Sequence, residues 1–233
     1  MPTPFRRGAI PTPRHRLAAA MPHVASGKTP VNVLWAPKTL SMWLNDIDGD
    51  CVTAEEAFAR ACVIPEILIT DEEVSAWATA HGVLNGAVIL DVIESMVTGG
   101  FVQSGHTYGA GAPVSVDWTN ATLLQNAIAQ GPVKIGVAGD QLQAVVVGNP
   151  PVSGWIATGF QEDTNEDHCV SLCGYGTFGW LAQQLGSTLP SGTNPSTPGY
   201  GLFTWSSIGI IDVPSMIAIT QEAWLRNPST VIK

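Results

Sequence analysis

The stretch Asn45-Asp-Ile-Asp-Gly-Asp-Cys-Val-Thr-Ala-Glu-Glu-Ala-Phe58, NDIDGDCVTAEEAF, places Cys51 where a turn rich in aspartate and glycine hands over to a helical run. Asp50 stands at the N-cap of a helix over about 51–62. Glu55 and Glu56 suit its N-terminal half, and Ala54, Ala57, Phe58 and Ala61 line one apolar face. A thiol at the first turn feels the positive end of the helix dipole, which favours thiolate over thiol. The same position also suits a small apolar residue packed at a helix start.

Working outward, Thr70-Asp-Glu-Glu73 has capping-box spacing and opens a helix over about 71–81 that Gly82 ends. A third helix, about 86–98, runs into Gly99-Gly100. The pattern then changes. HTYGAGAPVSVDW alternates like a strand, NATLLQNAIAQG is a capped amphipathic helix, and PVKIGVAG is an apolar strand. AVVVG, GWIATGF, HCVSLCGYG and GLFTWSSIGI follow as short β-branched or aromatic strands. The segment QQLGSTLPSGTNPSTPGYG is a polar loop, and a last helix covers about 213–225. Helices first and antiparallel-looking strands afterwards predict an α+β fold with two lobes and a cleft between them. The expected division is an extended Pro-rich arm over 1–44, with VNVLWAP a possible short strand, then a body over 45–233. The body has a helical lobe to about 100 and a β lobe over about 101–233.

Charge separates the arm from the body. Residues 1–45 carry Arg6, Arg7, Arg14, Arg16, Lys28 and Lys38 with no acid, a charge of +6. The remainder sets nineteen acids against Arg60, Lys134, Arg226 and Lys233, a net of −15. Such a body repels nucleic acid, which leaves the arm as its only point of contact. The arm can equally strap its own acidic domain or reach a neighbouring subunit. Only 12% of residues are charged, against roughly 25% in an ordinary soluble domain, so protein–protein assembly is an expected partner class. No window reaches the roughly 18 apolar residues of a membrane helix, since Asn85 and Asp91 interrupt GVLNGAVILDVI. No secretory signal is visible, so a cytoplasmic or particle-associated protein is expected. Cysteines 51, 62, 169 and 173 form no C-x-x-C pair, and neither a structural metal, a cofactor nor a disulfide framework is expected.

A thiolate attacking a carbonyl needs a proton acceptor and donors for the oxyanion. Of five histidines only His168 opens a strand. There alternation sends His168, Val170 and Leu172 to one face and Cys169, Ser171 and Cys173 to the other. Two cysteines four residues apart on a strand lie roughly 13 Å from each other and cannot bridge.

Together, GDC at a helix start, LLQNAIAQGPVKIGVAG, EDHCVSLCGYG and YGLFTWSS in this order resemble the papain-like cysteine peptidase fold from about Trp43 to the C-terminus. They resemble more closely a group of uncharacterised papain-fold proteins of bacteriophage and bacterial genomes with an ND-x-x-GDC core, a Thr-Trp pair matched by Thr204-Trp205, and a C-terminal helix like VPSMIAITQEAW. The resemblance implies Cys51 as nucleophile and His168 as its proton partner. Asn45 stands six positions before Cys51, where papain-like enzymes carry an oxyanion-binding glutamine. It also implies an asparagine orienting the histidine, two residues before a shielding tryptophan. Aligning Trp205 with that tryptophan puts Phe203 at the asparagine position, and shifting by one strand position puts Trp205 there; neither can accept a hydrogen bond. Val52 replaces the usual bulky aromatic after the nucleophile, and Asp50 opposes a thiolate unless it caps the helix or pairs with His168. The implied functions are a cysteine hydrolase acting on a peptide-like substrate, or a papain-fold assembly protein, such as a phage virion component, with little or no catalysis.

Overall fold

A computed structural model describes residues 5–233 of the chain. The arm supplies β1 (Ala9–Ile10), α1 (Arg14–Ala19) and β2 (Val33–Leu34), and it lies against the body over much of its length. The helical half follows with α2 (Cys51–Ala61), α3 (Asp71–Ala80), β3 (Ala87–Val88) and α4 (Ile89–Thr98). Every residue of α2 is buried. Alanines at 54, 57 and 61 keep its surface low enough for neighbouring chain to close over it, and Pro65 prevents the helix from running on. Thr70 Oγ1 caps α3 by accepting from the Glu73 N–H at 3.3 Å.

Next come β4 (Phe101–Gln103), β5 (His106–Gly109), β6 (Ala112–Ser115), α5 (Ala121–Ile128) and β7 (Val133–Val137). The expected single strand over HTYGAGAPVSVDW is two strands. A Cβ at Gly109 would stand 2.6 Å from the Gly99 carbonyl oxygen and one at Gly111 2.1 Å from that of Asn227. The chain passes too close to other backbone there for anything but glycine, and it turns. Further on are α6 (Asp140–Val145), β8 (Ile156–Ala157), β9 (His168–Thr177), α7 (Phe178–Gln184), β10 (Pro198–Thr204), β11 (Ser207–Asp212), α8 (Val213–Ile219), β12 (Thr220–Asn227) and β13 (Val231–Ile232).

Three expectations fail locally. AVVVG is not a strand, because its first half closes α6, which is tied to the next loop by paired hydrogen bonds between Gln141 and Gln161. The expected helix over 213–225 stops at Ile219, where Thr220 Oγ1 donates back to the Met216 carbonyl at 2.7 Å and the chain leaves as β12. A short helix, α7, capped by Thr177 Oγ1, precedes the polar loop and takes up its first residues.

The main sheet has the order β6-β12-β7-β9-β10-β11-β8, with β2 also pairing β9, and only β11–β8 runs parallel. Strand β9 divides two cores. Cys169 and Cys173 enter the core built on α2, α3, α4 and Phe101, whereas Val170 and Leu172 enter the core between the sheet, α5 and α8. All four cysteines are free and buried. Among the described residues no helix is long and apolar enough to cross a membrane, and no cluster of acids, histidines and cysteines is arranged to hold a metal ion.

Candidate active site

Cys51 opens α2 and His168 opens β9. The backbone N–H groups of Cys169 and Gly8 lie against the Cys51 sulfur, so the residue after His168 already touches the thiol. Register fixes the imidazole's surroundings. Val137 of β7 pairs with His168 on one side, and on the other β10 runs antiparallel so that its last residue, Thr204, reaches the ring. His168 Nε2 and Thr204 Oγ1 are 2.8 Å apart, while His168 Nδ1 is buried with no partner. Trp205 stacks on the imidazole with centroids 4.3 Å apart and planes at 11°.

Where the resemblance calls for an asparagine, the group that meets the imidazole is a hydroxyl directly before the tryptophan. Trp205 (φ 41°) and Ser206 (φ 58°) form the two-residue loop joining β10 to β11, and both are left-handed, as a type I′ hairpin requires. That tight turn presents Trp205 and puts Thr204, not Phe203, on the histidine's face. Phe203 points to the opposite side and stacks on Phe58 of α2 at 3.9 Å.

Asn45 is buried in the turn before Cys51, and its Nδ2 donates to the Asp48 carbonyl at 3.2 Å. This bond orients the carboxamide, and the Asp50 carboxyl lies within reach of the same group. Trp43 (φ 47°) and Leu44 (φ 68°) just before it are also left-handed, a conformation costing about 1–3 kcal/mol for such residues. Burial of Trp43, with Nε1 donating to the Ile69 carbonyl at 2.9 Å, holds them there. Of five non-glycine residues with positive φ among those described, four flank Asn45 and Thr204.

Asp50 does not cap α2 with its side chain and does not pair with His168; neither carboxyl oxygen has a partner. Burial, reinforced by Asp48, pushes its carboxyl up to about 8. Near neutrality it is mostly protonated, which weakens but does not remove the charge it sets against Cys51. Behind the first turn of α2, Lys134 Nζ donates to the Val52 carbonyl at 2.8 Å. Glu56 accepts from Arg60, Lys134 and Arg226, all fully or almost fully buried. This cluster pins the helix carrying Cys51 to β7 and β12.

The arm closes the site. Phe5 stacks on Trp205 at 4.9 Å, and Trp205 Nε1 donates to the Arg6 carbonyl at 3.2 Å. Arg7 Nη1 bridges Asp140 at 2.5 Å and Asp167 at 2.8 Å, and Gly8 lies on the sulfur. The Ala9 N–H donates to the Asp167 carbonyl at 3.1 Å, and Ala9–Ile10 pairs with Ala87–Val88. A cavity of about 500 Å³ remains beside these residues, walled by Asn85, Gly86 and Gln143. Under this cover burial pushes the Cys51 thiol up to about 12. Burial, assisted by Arg7, drives the His168 imidazole down to about 3. Both groups are neutral in this closed state.

No family model and no curated protein matches the sequence. Similar solved structures are procathepsin L 3 from the larval midgut of Tenebrio molitor (14% identity, TM-score 0.61, 89% of this chain and 73% of that one) and the proform of the ragweed pollen cysteine protease Amb a 11 (12%, 0.60, 91% and 73%). The bromelain protease of Ananas comosus in complex with the E64 inhibitor is also similar (12%, 0.59, 84% and 98%). At these identities the likeness establishes the fold: the chain has the papain-like α+β architecture.

Proposed function

We propose that the chain is a papain-like cysteine hydrolase of peptide-like amides or esters, held closed by its own arm. The observation that carries this reading is the state of His168: Nε2 is engaged by Thr204, the ring is covered by Trp205, and Nδ1 is left without a partner next to the residues that touch Cys51. With Nε2–H donating to Thr204 Oγ1, Nδ1 is the basic nitrogen. It takes the Cys51 proton as sulfur attacks the carbonyl carbon, and the backbone N–H of Cys51 and the Asn45 carboxamide receive the oxyanion. The imidazolium then protonates the leaving amine or alcohol, and water, deprotonated by His168, hydrolyses the thioester. Thr204 differs from an amide acceptor in one respect: a hydroxyl can also donate, so it holds the ring in place but selects the tautomer less strictly.

The chemistry requires the arm to leave, because its own residues occupy the cleft, with Phe5 and Arg6 on Trp205 and Gly8 at the sulfur. Gly8 offers the means to displace it, since a Cβ there would stand 1.8 Å from the Gly49 carbonyl oxygen. Iodoacetamide at pH 6 is expected to label Cys51 of the Gly8→Ala protein at least roughly tenfold faster than Cys62, Cys169 and Cys173, and His168→Ala is expected to abolish that lead. Equal, slow labelling of all four cysteines in both Gly8→Ala and a second arm-releasing variant, Arg7→Glu, would overturn the reading. The closed state itself, with thiol and imidazole both silent, favours a second reading: a papain-fold assembly protein, such as a virion component, whose arm exchanges its own cleft for a neighbouring subunit. In that case the arm-released protein associates through the arm and shows no selective labelling.

A further inference from the structure

The arm's contacts divide into two kinds. At Arg6, Ala9 and Ile10 the cleft holds main chain, which any sequence supplies. At Arg7 and Gly8 it holds the identity of the residue. The Arg7 guanidinium lies between two carboxylates, Asp140 and Asp167, and the far oxygen of Asp167 is itself held by the Gly139 N–H at 2.9 Å. The Gly8 slot is walled by backbone on both sides. A Cβ at Gly8 would strike the Gly49 carbonyl, and one at Gly86, which has φ of +128°, would stand 3.2 Å from the Gly8 oxygen. A neighbouring β-carbon at Gly49 would likewise press the Arg7 carbonyl at 3.1 Å. The passage beside Cys51 thus admits a bare backbone, and the next position toward Trp205 is an acidic seat.

The arm also lies the wrong way round for reaction. The Gly8 N–H is the group directed at the sulfur, while the Gly8 carbonyl is taken by the Ala87 N–H at 2.8 Å. Reversing the direction of a chain in the same cleft exchanges N–H for C=O along it, while the slot and the acidic seat keep their places.

Resting on the hydrolase reading above, we propose that the cleft is specific for peptides with glycine followed by a basic residue, with the Gly–Arg bond placed over Cys51. Asp140 and Asp167 are its specificity-determining residues. A single nitrogen, Nη1, meets both carboxylates, so the seat selects positive charge, and arginine and lysine are both expected to fill it. Two partly exposed ion pairs give about a tenfold preference over an uncharged residue, and glutamate there meets repulsion.

The test uses the full chain opened by Gly8→Ala, with Arg7→Glu as a second opened form should the first fold poorly. Binding is read by fluorescence anisotropy with labelled peptides in a Cys51→Ala background, and turnover is read with Cys51 intact. Peptides containing Gly-Arg are expected to bind about tenfold more tightly than Gly-Ala, Gly-Glu or Val-Arg peptides and to be cleaved between glycine and arginine. Asp140→Lys is expected to bring the Arg-to-Ala ratio close to one. Equal binding of the Gly-Arg and Gly-Glu peptides, equal acceptance of valine for glycine, or tighter binding of the reversed Arg-Gly order would overturn the proposal. Selective binding without cleavage would refute the hydrolase reading and leave the recognition standing. Cleavage without selectivity would do the reverse.

Discussion

Helix α2 carries two buried polar regions less than two turns apart, and they solve the same problem in opposite ways. At Glu56 both carboxylate oxygens are occupied: burial opposes the charge, but Arg226, Lys134 and Arg60 outweigh it and hold the carboxyl well below its ordinary range. The outer edge of Arg60 faces the Phe101 ring at 5.8 Å. At the N-terminus of the same helix, Asp50 has no partner on either oxygen and His168 has none on Nδ1, and burial drives both groups toward their neutral forms. Equal burial therefore gives a locked ion cluster in one place and a set of uncommitted groups in the other. The first holds the scaffold; the second is the region where the proposed chemistry would take place.

The sharpest way to break this contrast is Glu56→Ala, which leaves three interior cations uncompensated. A loss of about 3–5 kcal/mol in urea unfolding is expected. The next effect falls on the other region. Thr204→Val keeps the shape of the side chain and removes the hydroxyl from His168. It is expected to raise the barrier to Cys51 alkylation in the arm-released protein by about 1–3 kcal/mol, with rescue by Thr204→Ser.

A third prediction concerns pH. Glu166, buried and facing Glu222, is raised to about 9 from an ordinary 4.5. A carboxyl raised in the folded state contributes stability that is complete below about 4.5 and is lost as pH climbs toward 9. Glu222 also accepts the Thr12 N–H of the arm at 2.9 Å, so arm and body loosen together on that limb. Melting temperatures across pH 5–9 should fall in the native protein and fall less in Glu166→Gln. The smallest effect is expected for Asp50→Asn near neutrality, within about 1 kcal/mol, because a protonated carboxyl and a carboxamide differ little. A large loss there would show that Asp50 is charged and paired, which would end the comparison.

The placement of Cys51 at the start of α2 and of His168 at the head of β9 was legible because local chemistry marks both: a Gly-Asp turn before an Ala/Glu helix, and a polar residue at the head of an apolar strand. Thr204 was not, since a threonine at the end of a strand is ordinary and its role depends on a two-residue hairpin that shortens the expected spacing by one. AVVVG and the second half of 213–225 form other elements than their pattern suggests, the end of α6 and the start of β12, because side-chain bonds from Gln141 and Thr220 rather than periodicity decide them. The Glu56 cluster was hidden for a different reason. Glu56 and Arg60 stand four apart on α2, but Lys134 and Arg226 come from distant strands, and the only clue to them was how few bases residues 46–233 hold.

That scarcity also shapes how the protein meets other molecules. Burying Arg60, Lys134 and Arg226 leaves Lys233 as the one basic side chain that residues 46–233 expose to solvent. In the opened form proposed above, lifting the segment with Arg6 and Arg7 while β2 stays in the sheet leaves Asp140 and Asp167 flanking the cleft without their cation. Cationic chains are then steered to the cleft before any contact forms, and their arrival slows as salt shortens the reach of the carboxylates' field.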